Sequence, residues 1–208
     1  MKIKVCGMRD VDNIAAVAAL SPDYMGFIFY EQSSRYAGAL HPDAVAALNG
    51  ARICTTGVFV NASAGDILAK VKEYGFRAVQ LHGNESPVFC ESLRAQGIVV
   101  VKSFPVSRIR DFAVCAVYES ACDYFLFDTK TPSYGGSGTP FDWGMLAAYT
   151  GKTPFFLSGG IGANHAQRIK MLQHPMLYAI DVNSRFETSP GVKDLAQVRH
   201  FIGVMRQS

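Results

Sequence analysis

The segment Tyr124-Phe125-Leu126-Phe127-Asp128 is an apolar run that ends on a carboxylic acid. Similar short runs recur along the whole chain, and most of them end at or just before a polar residue or a glycine. They occupy residues 3–6, 24–29, 56–60, 78–81, 99–103, 124–128, 155–158 and 178–182. Continuous apolar runs of this length are typical of parallel strands that are covered on both faces. The sequence therefore predicts eight β-strands.

Segments with helical periodicity separate these runs. Residues 11–20 are rich in alanine and follow Asp10, a residue type that caps the N-terminus of helices. Residues 67–74 carry an apolar stripe that ends at Gly75, a natural C-cap. We expect the last helix to cover residues 193–205. Strands and helices therefore alternate along the chain.

Eight strand–helix units favour an α/β fold, a (β/α)₈ TIM barrel that forms a single domain over residues 1–208 with few decorations. The alternative is an open, doubly wound sheet. That fold usually has fewer strands, and the first strand-to-helix turn here lacks the G-x-G-x-x-G pattern. A barrel also makes a functional prediction, because its catalytic groups lie at the carboxyl ends of the strands.

Composition argues against several classes of protein. The formal net charge is +3 and the basic residues are scattered, so we expect no nucleic-acid partner. No apolar run is long enough to cross a membrane, and the first strand pattern begins without a signal peptide, so we expect a cytoplasmic protein. The five cysteines are odd in number and match no zinc spacing, which predicts free thiols and no metal site.

Two strand ends suggest a reaction. Cys6 ends the first run and Asp128 ends the sixth, so a barrel would bring both side chains to the same mouth. A thiolate can take a proton and a carboxyl group can give one, which is the pair that a proton-shuttling isomerase needs. A buried structural thiol is the alternative for Cys6. His82, at the end of the fourth run, could orient a substrate or be an internally satisfied histidine of the barrel rim.

Turns after the last two runs suggest a phosphate site. Gly159 and Gly160 follow the seventh run and open a helix, and Asn183 and Ser184 follow the eighth. In barrel enzymes the loops after the seventh and eighth strands commonly bind phosphate through backbone N–H groups. Tight strand-to-helix turning is the alternative explanation for the two glycines.

Two other segments could contact a substrate. Gly136 and Gly138 lie in a glycine-rich loop after the sixth run, which could close over the site or be an ordinary surface loop. Arg35, in Ser33-Ser34-Arg35-Tyr36, could bind a carboxylate with two hydrogen bonds or be a solvated side chain.

Segments in every part of the chain resemble signature motifs of the phosphoribosylanthranilate isomerase family. They include Lys4-Val5-Cys6-Gly7-Met8, Gly26-Phe27-Ile28-Phe29, Gly57-Val58-Phe59-Val60-Asn61, Val79-Gln80-Leu81-His82-Gly83, Phe127-Asp128-Thr129, Leu157-Ser158-Gly159-Gly160-Ile161 and Asp181-Val182-Asn183-Ser184. The matches run in order from the first strand to the eighth. The resemblance implies a cofactor-free barrel enzyme of tryptophan biosynthesis.

Such enzymes convert N-(5-phosphoribosyl)anthranilate to 1-(2-carboxyphenylamino)-1-deoxyribulose 5-phosphate by an Amadori rearrangement. The resemblance thus implies a small phosphorylated substrate and favours a monomer over a homodimer. It matches Cys6 to the general base, Asp128 to the general acid and Arg35 to the residue that holds the anthranilate carboxylate. The Gly159-Gly160 and Asn183-Ser184 turns match the phosphate site.

The chemistry sets conditions on these residues. Asp128 has to be protonated to open the sugar ring, which substrate phosphate, desolvation or an acidic neighbour such as Asp181 would favour. Cys6 has to be a thiolate to remove a proton. One position departs from the family, because Arg185 stands where a small residue, often glycine, is usual. Arg185 could add charge to the phosphate site or point outward.

Two alternative functions compete with this interpretation. A related isomerase of histidine biosynthesis uses two aspartates for the same rearrangement, and Cys6 on the first strand argues against it. A catalytically inactive barrel that only binds a phosphorylated ligand would keep the glycine turns and lose the acid or the base, whereas both are present here.

Overall fold

The structure, a computed structural model, describes residues 1–130 and 140–207. Within these residues eight parallel strands pair in chain order, and the first also pairs with the last, so the sheet closes into a barrel. Helical segments connect successive strands. The predicted (β/α)₈ TIM barrel is therefore confirmed.

The strands match the predicted apolar runs, with ends that differ by at most three residues. They are β1 (Lys2–Val5), β2 (Tyr24–Ile28), β3 (Cys54–Phe59), β4 (Ala78–Leu81), β5 (Val99–Val106), β6 (Tyr124–Thr129), β7 (Phe155–Leu157) and β8 (Leu177–Val182). β5 extends furthest beyond its run, because its pairing with β6 continues until Val106 lies opposite Thr129.

The described residues form the α-helices α1 (Val11–Ala18), α2 (Pro42–Gly50), α3 (Ala64–Tyr74), α4 (Pro87–Arg94), α5 (Ala166–Lys170) and α6 (Leu195–Arg206). Two predicted helix ends are observed. The Asp10 carboxylate accepts the N–H of Asn13 at 2.8 Å and so caps α1, and Gly75 ends α3 with a φ of 65°. None of the helices in the described residues is long and apolar enough to span a bilayer.

Two connections differ from the expected α-helices. Ile109–Tyr118 after β5 and Trp143–Ala148 before β7 are 3₁₀ segments. Exposed β-branched residues explain part of this difference in the first segment, because Ile109, Val114 and Val117 lower the helix propensity without burying their side chains.

A short hairpin that the sequence pattern did not predict follows β8. It consists of β9 (Glu187–Ser189) and β10 (Val192–Lys193), which pair in antiparallel fashion across a turn at Gly191. The φ of Gly191 is 85°, a left-handed conformation that glycine adopts without strain. The hairpin places Glu187 directly opposite Lys193, and these two side chains contact Arg35 and Asn183 of the candidate site.

The barrel interior is apolar near one end of its axis and polar near the other. At the amino end of the strands it holds the apolar cluster Tyr24, Val101, Leu126, Phe156 and Ala179. Nearer the carboxyl end it holds buried polar side chains, among them Lys4, Gln80 and Asp181. Because side chains of a strand alternate between its two faces, the inward residues two positions further on are Cys6, His82 and Asn183. A buried polar layer therefore lies directly beneath the predicted site residues.

Candidate active site

A cavity of about 500 Å³ opens at the carboxyl ends of the barrel strands. The eight predicted site residues that fall in the described ranges all line it: Cys6, Arg35, His82, Asp128, Gly159, Gly160, Asn183 and Ser184. The other two, Gly136 and Gly138, lie outside the described residues. The sequence-based selection of strand-end residues thus converges on one space large enough for a small phosphorylated molecule.

Cys6 lies at the end of β1, where its backbone N–H donates to the carbonyl of Val182 at 2.9 Å. Burial raises the pKa of the Cys6 thiol, and the charges of Lys4 and Lys193 only partly offset that effect. Gly26 on β2 makes room for this side chain, since a Cβ at position 26 would lie 2.7 Å from the Cys6 Sγ. Without substrate, Cys6 is therefore held mainly as a neutral thiol.

Asp128 lies within β6, near its end, where its Oδ1 accepts the N–H of Thr129 at 2.7 Å. Its Oδ2 lies 3.5 Å from the His82 Nε2. The turn after β7 packs against the same carboxylate, because a Cβ on Gly159 would be 2.8 Å from the Asp128 Oδ1. Gly159 has a φ of 87°, so both its conformation and its surroundings favour glycine.

A buried hydrogen-bond chain that the sequence analysis missed lies below Cys6 and His82. The Lys4 Nζ donates to the Asp181 Oδ1 at 2.9 Å and to the Gln80 Oε1 at 2.8 Å. The Gln80 Nε2 lies 2.9 Å from the His82 Nδ1. The signal for this chain was present, since Lys4 and Gln80 are polar residues within apolar strand runs.

Asp181 has a charged partner of its own within the barrel. Sequence analysis suggested that its charge could help to keep Asp128 protonated. In the structure Asp181 forms a buried ion pair with Lys4 and accepts the hydroxyl of Ser158 at 3.0 Å. Burial alone would lower the pKa of Lys4, but the neighbouring acidic groups, chiefly Asp181, raise it. The negative charge of Asp181 is therefore compensated within the barrel.

Arg35 is held by an acidic partner. Its Nε and Nη2 lie 2.9 Å and 2.7 Å from the Glu187 Oε2. Glu187 also binds the buried Lys193, whose Nζ is 2.6 Å from the Glu187 Oε1 and 2.8 Å from the Asn183 Oδ1. Burial by itself would raise the pKa of Glu187, but these two cations hold it below its usual range. The hairpin after β8 thus orients Arg35 and Asn183 together.

The two predicted phosphate turns have backbone features that could bind an anion. Gly159 and Gly160 both have positive φ, 87° and 63°. Within the described part of the chain, the N–H groups of Gly160 and Ser184 donate to no protein acceptor. Unpaired N–H groups on adjacent turns form a concavity suited to phosphate.

Arg185 lies beside these turns. A Cβ on Gly162 would be 3.4 Å from the Arg185 Cδ, and the charge of Arg185 helps burial to lower the pKa of His165. Arg185 is exposed and is not among the described residues that line the cavity, so its role at the phosphate site stays a prediction.

Two other polar groups near the mouth support loops. Glu85 accepts the backbone N–H of Asn61 at 2.8 Å and forms a buried ion pair with Lys102. Asn61 in turn accepts the N–H of Asn84 at 2.7 Å. These contacts join the loops after β3 and β4. Among the described residues, no group of three or more His, Cys, Asp or Glu side chains is arranged to hold a metal ion.

Comparison with known proteins identifies relatives of the whole chain. Residues 3–204 match the family model described as N-(5'-phosphoribosyl)anthranilate (PRA) isomerase. The N-(5'-phosphoribosyl)anthranilate isomerase of Parabacteroides distasonis is 45% identical over 204 residues, which cover 97% of this chain and 92% of the relative. The enzyme of the same name from Phocaeicola vulgatus is 45% identical over 207 residues, covering 100% and 98%.

Solved structures of the same kind superpose closely. Phosphoribosyl anthranilate isomerase from Thermotoga maritima gives a TM-score of 0.82 at 31% identity, covering 99% of this chain and 98% of that one. A complex of such an isomerase with reduced 1-(o-carboxyphenylamino)-1-deoxyribulose 5-phosphate gives 0.82 at 28% identity and the same coverage. Sequence and fold therefore agree over nearly the full length.

Proposed function

The chain belongs to the N-(5'-phosphoribosyl)anthranilate isomerase family and catalyses that isomerisation in tryptophan biosynthesis; from this premise we propose that Cys6 is its general base and Asp128 its general acid. One observation supports the assignment above all others. A thiol and a carboxyl group, contributed by strands far apart in sequence, line a single cavity of about 500 Å³ that also contains the phosphate turns.

The Amadori rearrangement moves protons within the substrate, and the product contains the same number of protons as the substrate. Asp128, in its protonated form, gives a proton to the ring oxygen while the bond from that oxygen to sugar C1 breaks, which leaves a protonated imine. The Cys6 thiolate then removes the proton from C2 and produces an enolamine. Tautomerisation moves the proton of the C2 hydroxyl to C1 and forms the ketone, 1-(2-carboxyphenylamino)-1-deoxyribulose 5-phosphate.

The buried thiol fixes the order of these steps. Burial raises the pKa of Cys6, so the thiolate is scarce until a positive charge arrives beside it. The protonated imine supplies that charge, because an adjacent opposite charge favours the ionised form. The thiol then releases its proton to solvent, and Asp128 regains a proton from solvent at the end of the turnover. We therefore expect ring opening by Asp128 to come first and to activate Cys6 for the second step.

The remaining cavity residues bind the two ends of the substrate. Gly159, Gly160, Asn183 and Ser184 surround the phosphate, whose oxygens accept the unpaired N–H groups of these turns. Glu187 occupies the Nε and Nη2 of Arg35. The remaining nitrogen, Nη1, contacts only the Ser34 hydroxyl at 3.5 Å among the described groups. Arg35 would therefore bind the anthranilate carboxylate through Nη1.

The cellular location, oligomeric state and cofactor requirement of the enzyme are proposed from its cysteines and its family resemblance. The cysteines of the described residues are all free thiols, which suits the reducing cytoplasm. The family resemblance favours one domain over residues 1–208, a monomer, and catalysis without a cofactor. Sedimentation velocity would measure the oligomeric state directly, and a dimer at micromolar concentration would contradict the monomer.

Fluorescence loss of N-(5'-phosphoribosyl)anthranilate tests the two catalytic assignments. We expect Cys6→Ala and Asp128→Asn each to lower kcat by about 10²–10⁴-fold, the usual value of one acid or base, while KM stays within a few-fold. Cys54→Ala is the control, because Cys54 is a thiol of the same barrel among the apolar residues at its other end. Undiminished turnover in either site variant would remove that residue from the mechanism.

A further inference from the structure

The hydrogen-bond chain beneath His82 fixes the position of a proton. Lys4, Gln80 and Asp181 are each at least 95% buried, so their hydrogen bonds are made within the protein. The Lys4 ammonium faces the Gln80 Oε1 at 2.8 Å, and the Gln80 Nε2 faces the His82 Nδ1 at 2.9 Å. Asp181, anchored by the Ser158 hydroxyl, keeps the Lys4 ammonium in place.

The donor and acceptor capacities of these groups leave one arrangement. An ammonium group only donates, so the Gln80 atom that faces Lys4 has to be the carbonyl oxygen. The usual ambiguity between the two ends of a glutamine amide is thereby removed. The NH₂ group of Gln80, which also only donates, then faces the His82 Nδ1. That nitrogen has to accept, and in the neutral ring the proton is therefore on Nε2.

The protonated nitrogen faces the acid. The His82 Nε2 lies 3.5 Å from the Asp128 Oδ2 and 3.4 Å from the Ser103 Oγ. Distances of this length are common in active sites without substrate and shorten in the reacting complex. The N–H group of His82 can therefore donate to the Asp128 carboxylate once that residue has released its proton.

We propose that Lys4 and Gln80 are positioning residues that lock His82 in its Nε2–H tautomer, so that His82 donates to Asp128 and stabilises the carboxylate that forms when the sugar ring opens. This proposal rests on the proposed role of Asp128 as the acid. The lock decides which ring nitrogen of His82 carries the proton in the neutral ring. A reversed tautomer would present a lone pair to the Asp128 carboxylate and repel it.

The tautomer itself is measured without reference to activity. Long-range ¹H–¹⁵N correlation spectra of protein labelled at histidine separate protonated from unprotonated ring nitrogens, and a His82→Asn sample assigns the signals. In the wild type we expect a protonated Nε2 and an unprotonated Nδ1 for His82. A protonated Nδ1 in the wild type would overturn the proposal whatever the variants do.

Gln80→Glu replaces the NH₂ donor of Gln80 with a carboxylate oxygen, which is an acceptor. A carboxylate at position 80 accepts from Lys4 and from His82, so the His82 Nδ1 has to acquire a proton. Gln80→Met removes both polar contacts at similar size, and we expect it to give a mixture of tautomers. Thr56→Val is the matched control, because Thr56 is buried on the neighbouring strand and its hydroxyl has no partner in the described residues. An unchanged His82 spectrum in Gln80→Glu would overturn the proposal.

Kinetics distinguish positioning from simple support of the fold. We expect both Gln80 variants to lower kcat about 10-fold, the value of one hydrogen bond to a charged group, with KM nearly unchanged. In an Asp128→Asn background the same substitutions should change kcat by less than about 2-fold, because the acid they serve is absent. Equal losses in both backgrounds would refute the link to Asp128. Full activity of Asp128→Asn alone would refute the acid assignment and leave the tautomer result standing.

Discussion

Glu187 holds the hairpin side of the site together, and its neutralisation should cost the protein a large part of its stability. Its carboxylate is 4% exposed and joins Arg35 to Lys193, whose side chain is fully buried. Glu187→Gln keeps the size of the side chain and removes its charge. Lys193 would then keep Asn183 as a hydrogen-bond partner but lose its counter-charge.

The expected loss in the free energy of unfolding depends on how Lys193 responds to losing its counter-charge. Removing one partner of a buried ion pair costs about 3–5 kcal/mol. Lys193 avoids being an unpaired buried charge if it loses its proton. From its ordinary pKa of 10.5, this deprotonation costs about 5 kcal/mol at pH 7 and about 2 kcal/mol at pH 9. Since burial already lowers the pKa of Lys193 in the wild type, we expect the lower part of this range, about 3 kcal/mol at pH 7.

The stability difference between wild type and Glu187→Gln should become smaller both in acid and above neutral pH. The folded-state pKa of Glu187 is lowered, so its contribution is fully present above the ordinary value of 4.5 and is lost as the pH falls through the folded value. The difference between wild type and variant should therefore vanish in acid. Above neutrality it should shrink as well, because Lys193 deprotonates more cheaply in the variant.

Urea unfolding at pH 3, 7 and 9 measures this difference in the free energy of unfolding. At pH 7 the corresponding fall in Tm is about 6–12 °C for a chain of this length. Glu73→Gln is the control, because Glu73 forms an exposed ion pair with Lys70 on α3. An equal midpoint for wild type and Glu187→Gln at pH 7 would refute the reasoning, as would a difference that does not change between pH 7 and pH 9.

Two further substitutions test the binding and catalytic geometry. Gly159→Ala should lower kcat by about 10-fold or more and also destabilise the fold, because φ is 87° and the new Cβ would lie 2.8 Å from the Asp128 Oδ1; steady-state kinetics with thermal melts would check both effects. Arg35→Lys should raise KM about 10-fold with little change in kcat, since a lysine cannot bind Glu187 through two nitrogens and still present a third to the substrate. Titration with a substrate analogue that lacks the anthranilate carboxylate should then show no difference from wild type.

The fold could be predicted from the sequence because its signals are local. Each strand is a mainly apolar run, and most runs end at or just before a polar residue or a glycine. Closure of the barrel then brings Cys6 and Asp128 to one cavity, although 121 residues lie between them. The 3₁₀ connections were not predicted, because a weak apolar periodicity does not distinguish a tight helix from an α-helix.

The support of the site could not be predicted in the same way. Lys4 contacts Gln80 and Asp181, which lie 76 and 177 residues away in the sequence. No spacing rule connects such positions, and each residue alone looks like a polar interruption of a strand. Glu187 and Lys193 are close in sequence, but their pairing depends on a hairpin whose strands are only three and two residues long.

Strand geometry connects these two kinds of residue. Inward side chains occur at every second position, so Cys6 lies one layer above Lys4, His82 above Gln80, and Asn183 above Asp181. The upper residues line the cavity, whereas the lower residues are at least 95% buried and can be hydrogen-bonded within the protein, even where Gln80 and Asp181 reach the cavity wall. A substitution in the lower layer therefore changes the hydrogen bonds that reach the upper layer, which is why a tautomer measurement on His82 can report on Gln80 and Lys4.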